Sequence, residues 1–290
     1  MKRTTRANYR QRLTAVIEYI HDNINGDLGV NTLADVAFMS PYHFHRIYRE
    51  LMQETVNATV RRLRLQKAAI DLIRTDLSIQ TIAQNISYGS IEAFTRAFTK
   101  NFGITPGEYR NTKQHHCSHD EPFIAMIPTK QKKDDTMFNV EIIKIDELQL
   151  AGYSHVGDYM EIGSVFEKLF MQANSQHLLN ENTRSFGLYY DDPKSVALSK
   201  LRSMACITVD KSQAIESGLE RMAIPAGECV SILFKGPYAE LEKPYDWLFG
   251  QWIPDNNKEI ANFPAFEEYL NDPKETPPSE LLTRIYCLLA

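Results

Sequence analysis

Two stretches of the chain set hydrogen-bonding side chains on one face of a helix. In PYHFHRIYREL, Phe44, Ile47, Tyr48 and Leu51 recur at helical spacing and form an apolar stripe, which leaves Tyr42, His45, Arg46 and Arg49 on other faces. In SIEAFTRAFTKNF, Phe94 and Phe98 are the apolar anchors, and Ser90, Glu92, Thr95, Arg96, Thr99 and Lys100 make up the polar side. Side chains of these types can read base edges in a major groove, which displays a distinct donor and acceptor pattern for each base pair. A guanidinium either pairs bidentately with guanine or clamps phosphate, and the sequence does not choose between these roles for Arg46 or Arg96. Other chemistry is poorly represented. His115, His116, Cys117 and His119 sit nearly consecutively without zinc-site spacing, so no metal or cofactor is expected. No nucleophile and base pair can be assembled, and no catalytic residue is expected.

The elements that must position these faces form a repeat. Residues 8–24 carry Leu13, Val16, Ile17 and Ile20 at helical spacing, and Asn25-Gly26 ends the pattern. In NTLADVAF, Thr32 and Asp35 have capping-box spacing ahead of Leu33, Ala34 and Ala37. Met39-Ser40 is the turn, with Ser40 suited to an N-cap and Pro41 to the first helical position. Leu33, Ala34 and Ala37 recur as Ile82, Ala83 and Ile86 at an offset of 49, and Phe44, Arg46 and Tyr48 recur as Phe94, Arg96 and Phe98 at an offset of 50. The second turn is thus one residue longer. Between the copies, TVNATVRRLRLQKAAIDLIRT reads as a stiff helix without Gly or Pro. Ser78 caps the next helix, and Thr105 with Glu108 forms a capping box for a last one. Any helical bundle has short helices with polar outer faces; the paired repeat favours two helix-turn-helix units spaced for successive major-groove faces, about 34 Å apart.

At 290 residues, 43% hydrophobic and 24% charged, the chain suits two globular domains. Residues 111–137 lose periodicity and collect His, Lys, Asp and Pro, so the expected division is 1–113, a linker at 114–137, and 138–290. Charge divides the same way. Residues 1–113 hold 16 Lys and Arg against 10 Asp and Glu, whereas residues 114–290 hold 16 against 27. The basic part suits phosphates and the acidic part is repelled by them. No apolar run approaches the roughly 18 residues of a membrane span, and no secretory signal follows the basic start, so a soluble cytoplasmic protein without a membrane partner is expected. Cys117, Cys206, Cys229 and Cys287 are too sparse for a disulfide framework and read as reduced thiols.

The second half alternates strand-like runs (VEIIKI, LQLAGYSHV, FGLYY, MACITVD, CVSILF, TRIYCLL) with two helical stretches, and it too is duplicated. GDYMEIGSVFEKLF at 157–170 aligns with GPYAELEKPYDWLF at 236–249, GLYYDDP at 187–193 with EEYLNDP at 267–273, and SMACITVD with TRIYCLLA. The expected fold is multidomain: an all-α N-terminal domain with two helix-turn-helix units, then an α+β domain of duplicated βαββ units with a crevice at their junction.

These motifs resemble known families. LADVAFMSPYHFHRIYREL and SIQTIAQNISYGSIEAFTRAFTKNFGITPGEYR, spanning about 8–111, resemble the AraC family of transcription regulators, although Tyr88 before Gly89 and Ser90-Ile91 after it depart from the usual pattern. The resemblance implies that both recognition helices enter adjacent major-groove segments of promoter DNA. The DNA domain comes first here, whereas many family members place it last. GLYYDDP, GECVSILFKGPY, LFGQWIP and FPAFEEYLNDP, within 138–290, resemble GyrI-like domains. That resemblance implies a small amphipathic or cationic effector in the crevice, with Glu267 as a buried acid and Tyr189, Tyr269, Trp252 and Phe266 as walls. A carboxylate on an aromatic surface favours a cationic guest. The alternatives are that Glu268 faces the crevice while Glu267 faces solvent, or that either pairs with Arg202 or Arg284. Trp247 and Phe249 read as packing. The reading is an effector-controlled transcription regulator, an activator and not an enzyme, coupled through domain orientation or through RNA polymerase; the rival is a GyrI-like hydrolase or binding protein with secondary DNA binding.

Overall fold

The computed structural model describes residues 3–112, 138–215, 218–256 and 258–290. The expected linker at 114–137, with Cys117 and the histidines beside it, lies outside these residues. The described residues form two compact units: one comprises residues 7–38 and 51–112, and the other residues 3–6, 39–50 and those described from 138 on. Residues 39–50 thus group with the C-terminal half and not with the rest of 1–113.

The first unit is helical. It holds α1 (Arg3–Asp22) from Ala7 onward, α2 (Val30–Val36), α4 (Val56–Arg74), α5 (Ile79–Asn85), α6 (Ile91–Phe102) and α7 (Pro106–Thr112). Thr55 caps α4 by accepting from the Ala58 N–H, and Ser78 and Ser90 cap α5 and α6 in the same way. At α7 the box is reciprocal: Glu108 Oε2 accepts from the Thr105 N–H at 2.8 Å, and Thr105 Oγ1 from the Glu108 N–H at 3.3 Å. The box expected at Thr32 does not form. α2 starts three residues earlier, at Val30 after the N-cap Gly29, and the Thr32 hydroxyl turns to Asp27. One apolar core joins Leu65, Ala68, Ala69 and Leu72 of α4 to Ile82 and Ala83, Ile86, Phe94, Phe98 and Tyr109. The rings of Tyr88, Phe94, Phe98, Phe102 and Tyr109 are in serial contact, which fixes the rotation of α6 about its axis. The two helix-turn-helix turns are alike: Phe38 and Ser87, 49 residues apart, both have positive φ (52° and 61°).

The second unit is built on an antiparallel eight-stranded sheet: β1 (Val140–Ile145), β2 (Leu148–Val156), β3 (Ser185–Tyr189), β4 (Arg202–Thr208), β5 (Glu220–Ile224), β6 (Gly227–Lys235), β7 (Ala265–Tyr269) and β8 (Leu282–Leu288). The strand order is β1-β6-β8-β7-β3-β4-β2-β5. The duplication is visible as β2-α8-β3-β4 and β6-helix-β7-β8, where α8 is Ile162–Ser175 and the second helical segment runs as α9 (Glu242–Trp247), a π-helical turn at Leu248–Trp252 and α10 (Ile253–Asn256). β3 and β7 pair at the centre and join the repeats; the leading strands β1 and β5 each pair with the other repeat. Gly157 and Gly236 occupy matching turns with φ of 150° and 149°. β5 is the strand that the apolar runs did not suggest, because its ERMAI sequence lies at an edge with mostly exposed residues. The multidomain fold expected from the sequence, all-α followed by duplicated α+β, is the fold observed. Cys206, Cys229 and Cys287 are buried free thiols.

Strand alternation gives the sheet two different faces. Phe186, Leu188, Met204, Cys206, Phe266, Tyr286 and Leu288 form a core on one side, while Tyr189, Ala205 and Ile207 meet Ile162, Leu169 and Ala173 of α8 on the other. The helix that carries Tyr42, His45, Arg46 and Arg49, α3 (Pro41–Met52), belongs to this same unit except for its last two residues.

Candidate functional site

Glu267 sits at the middle of β7, directly opposite Gly187 of β3, so the duplicated positions face each other across the repeat junction. Its side chain is 4% exposed. One carboxyl oxygen accepts from the Tyr245 hydroxyl at 2.9 Å and the other from the Tyr269 hydroxyl at 3.0 Å. The Tyr189 and Tyr269 hydroxyls lie 2.5 Å apart. A Cβ at position 187 would come within 2.7 Å of the Tyr269 hydroxyl and 2.9 Å of the Tyr189 ring, so the glycine makes the room that this cluster uses. Burial raises the Glu267 carboxyl from its ordinary 4.5 to about 7, against the two tyrosine hydrogen bonds and the Arg46 charge, which pull the other way. Near neutral pH the group is therefore poised between acid and carboxylate.

The structure places Tyr189 and Tyr269 at this cluster and separates Phe266 from it. Phe266 is adjacent to Glu267 along the strand, so its ring points through the opposite face, where it stacks on Tyr286 at 4.9 Å. It is not a wall of the crevice. Trp252 is half-buried at the end of the π-turn, where its carbonyl accepts from Asn256, and among the described contacts none joins its ring to the Glu267 cluster. Glu268 points with Phe266 and pairs with Arg184 at 2.6 and 2.8 Å and with the Tyr286 hydroxyl at 2.6 Å. Of the two acids, Glu267 is the one on the helix-covered face. Arg202 and Arg284 pair elsewhere, with Asp191 and Glu141.

Four aromatic residues around the acid were not singled out from the sequence. Tyr245 supplies a hydroxyl, Tyr238 and Phe166 meet the Tyr269 ring edge-on at 5.4 Å each, and Tyr159 meets Tyr189 at 4.8 Å. A signal for them was present. The 79-residue offset pairs Tyr159 with Tyr238 and Phe166 with Tyr245, and a position kept aromatic in both repeats next to their junction is a wall candidate.

The two polar helix faces differ. On α6, Ser90, Glu92, Arg96 and Lys100 are exposed and Thr95 and Thr99 are half-buried, while Phe94 and Phe98 are fully buried. Glu92 lies in the first turn, where a backbone N–H bond and the Ser90 hydroxyl hold its carboxyl below the usual range. On α3 the expectation of an outward polar face is not met. His45 and Arg46 are 8% and 7% exposed, and Tyr42 and Arg49 are half-buried. Arg46 lies over the Tyr245 ring at 4.3 Å, Arg49 is paired with Asp192 at 2.9 Å and with Asp246 at 2.7 Å, and Tyr42 meets Tyr190 at 6.1 Å. The physical reason is that aromatic rings and carboxylates of the same unit supply partners that water would otherwise supply.

Comparison with known proteins follows the same division. Residues 138–290 match the model of the GyrI-like small molecule binding domain, and residues 33–112 match a helix-turn-helix domain. The RCS-specific HTH-type transcriptional activator RclR of Escherichia coli is 38% identical over 99 residues, which are 34% of this chain and 35% of RclR. The regulatory protein SoxS of Salmonella typhimurium is 30% identical over 104 residues, 36% of this chain and 97% of SoxS. A DNA gyrase inhibitor of Erwinia billingiae is 29% identical over 138 residues, 46% of this chain and 87% of that protein. The chain therefore spans nearly all of SoxS but about a third of RclR.

Proposed function

Since the chain belongs to the GyrI-like small-molecule-binding family and is a DNA-binding transcription regulator of the AraC type, we propose that it is a transcription activator controlled by a lipophilic cation bound at Glu267. Residues 1–113 read promoter DNA, 114–137 link, and 138–290 sense. The observation that carries the DNA half is α6: its apolar face is locked by Phe94 and Phe98, and Ser90, Arg96 and Lys100 stand in solvent at the spacing of a reading face. Half-buried Thr95 and exposed Glu92 flank that face, whereas the Thr99 hydroxyl is buried. The sensing half is supported by the poised carboxyl within a ring of tyrosines, where a cation gains both charge and π-face contacts. Activation is supported by the likeness to RclR, a transcriptional activator, with RNA polymerase as the partner that an activator would recruit, and a regulator in preference to a hydrolase is supported by the likeness to RclR and SoxS. Among the described residues no helix is long and apolar enough to cross a membrane, and the DNA-reading role supports a cytoplasmic location.

Selection of duplexes from a random-sequence pool by the full chain tests the DNA reading. Arg96→Ala is expected to weaken the selected site by about tenfold or more, the scale of one lost bidentate base contact. Equal affinity of the variant would remove Arg96 from the reading face. For the sensing half, calorimetry with tetraphenylphosphonium, a lipophilic cation of fixed charge, is expected to show binding that Glu267→Gln weakens by about tenfold. Unchanged binding would reject the assigned acid.

A further inference from the structure

Polar helix faces normally end in water. α3 carries the buried His43, His45 and Arg46 and the half-buried Arg49, and a charged group is withdrawn from water at low cost only where it is paired. Beyond the Glu50 carboxylate on α3 itself, the partners of His43, Arg46 and Arg49 lie in the same compact unit, in three short segments around the repeat junction. In the first, at the end of β3, the Asp191 carbonyl accepts from Arg46 at 3.3 Å and both Asp192 oxygens accept from Arg49 at 2.9 and 3.0 Å. In the second, α9 and the π-turn, the Tyr245 and Phe249 rings lie 4.3 and 5.5 Å from the Arg46 guanidinium, and Asp246 accepts from Arg49 at 2.7 Å. In the third, before β7, the Phe263 carbonyl accepts from His43 Nε2 at 2.8 Å and Asn262 from Ser40 at 3.0 Å. The His43 ring also stacks on Phe249 at 5.2 Å. Backbone approach is close as well: a Cβ on Gly250 would lie 3.0 Å from the Glu50 Cβ.

Tyr245 connects this docking to the sensing cluster. Its face is covered by the Arg46 guanidinium, and its hydroxyl donates to Glu267. A planar delocalised cation on an aromatic face, next to a buried carboxyl, is the arrangement that a lipophilic cation would adopt there. The docking is also one-sided. Asp272, the counterpart of Asp192 in the second repeat, is exposed, whereas Asp192 is 2% exposed.

We propose that α3 is an internal occupant of the sensing site, in which Arg46 holds the aromatic face that a cationic effector uses, so that effector binding frees Tyr42, His45, Arg46 and Arg49 for DNA. The proposal rests on the cation-site reading of Glu267 and adds its regulation. By linkage, DNA that captures the freed helix raises the affinity for the cation by the same factor. An effector that must first displace α3 binds with an affinity reduced by the fraction of molecules in which the helix is already free.

The test leaves α3 and the Glu267 cluster unaltered. In the full chain, Asp192→Asn and Asp246→Asn each remove a carboxylate that holds Arg49, and Asp272→Asn removes the same charge from the matching exposed turn as a control. Two quantities are measured: affinity for tetraphenylphosphonium, and the salt dependence of binding to a random-sequence duplex. Both docking variants are expected to bind the cation up to about tenfold more tightly, and to show a log-log salt slope steeper by about 1 to 2 as Arg46 and Arg49 become available to phosphates. Asp272→Asn is expected to change neither. If the cation fails to bind any form while the slope steepens, the docking stands and the cation-site reading falls. If both docking variants match Asp272→Asn in slope and in cation affinity, the internal-occupant proposal is overturned.

Discussion

Where the first repeat has Gly187 the second has Glu267, which puts a buried carboxyl at the repeat junction. With its carboxyl raised to about 7 in the folded chain and near 4.5 when unfolded, Glu267 is protonated in the native state and ionised in the unfolded state between those values. Rising pH therefore erodes stability through that window, and the penalty is complete above about pH 7. Glu267→Gln is expected to raise the thermal midpoint at pH 8, by up to about 3 kcal/mol of stability on the scale of one pKa unit per 1.4 kcal/mol, with no gain at pH 4. A gain that does not depend on pH would contradict the shifted carboxyl. The same linkage makes affinity for a permanent cation rise with pH from 5 to about 7 and then level off. A flat titration would disconnect the cation from Glu267.

At the scale of elements, the most legible features were those written twice. The 49–50 offset located both helix-turn-helix units, and the 79–80 offset located the two βαββ units; that the duplicate positions Gly187 and Glu267 pair across the junction came from the strand register. The failures have local causes. Phe266 was assigned to the crevice although strand alternation sends it, one residue from Glu267, through the other face. Thr32 has the spacing of a cap, but α2 begins at Val30 and Asp27 takes the hydroxyl. The burial of Arg46 and Arg49 was not legible at all, because helical periodicity defines a polar face without saying which distant carboxylates and rings meet it. In α6 the ring series makes a simple demand: Phe98→Ala is expected to cost about 3 to 5 kcal/mol in denaturant unfolding, and to abolish sequence-selective DNA binding with it. A loss under 1 kcal/mol would mean that the aromatic series does not hold α6 in place.

For the whole molecule, the charge asymmetry, 16 basic against 10 acidic residues before position 114 and 16 against 27 after it, separates a part suited to phosphates from a part that repels them. A regulator with this division must transmit the state of one part to the other, and the proposed transmitter is α3. The most direct measurement of that claim is the affinity of the full chain for a duplex selected from a random pool, with and without saturating tetraphenylphosphonium, at fixed salt. The bound cation is expected to strengthen DNA binding by about fivefold or more, the lower end of allosteric coupling between linked sites. An unchanged DNA affinity, with the cation shown by calorimetry to be bound, would contradict it.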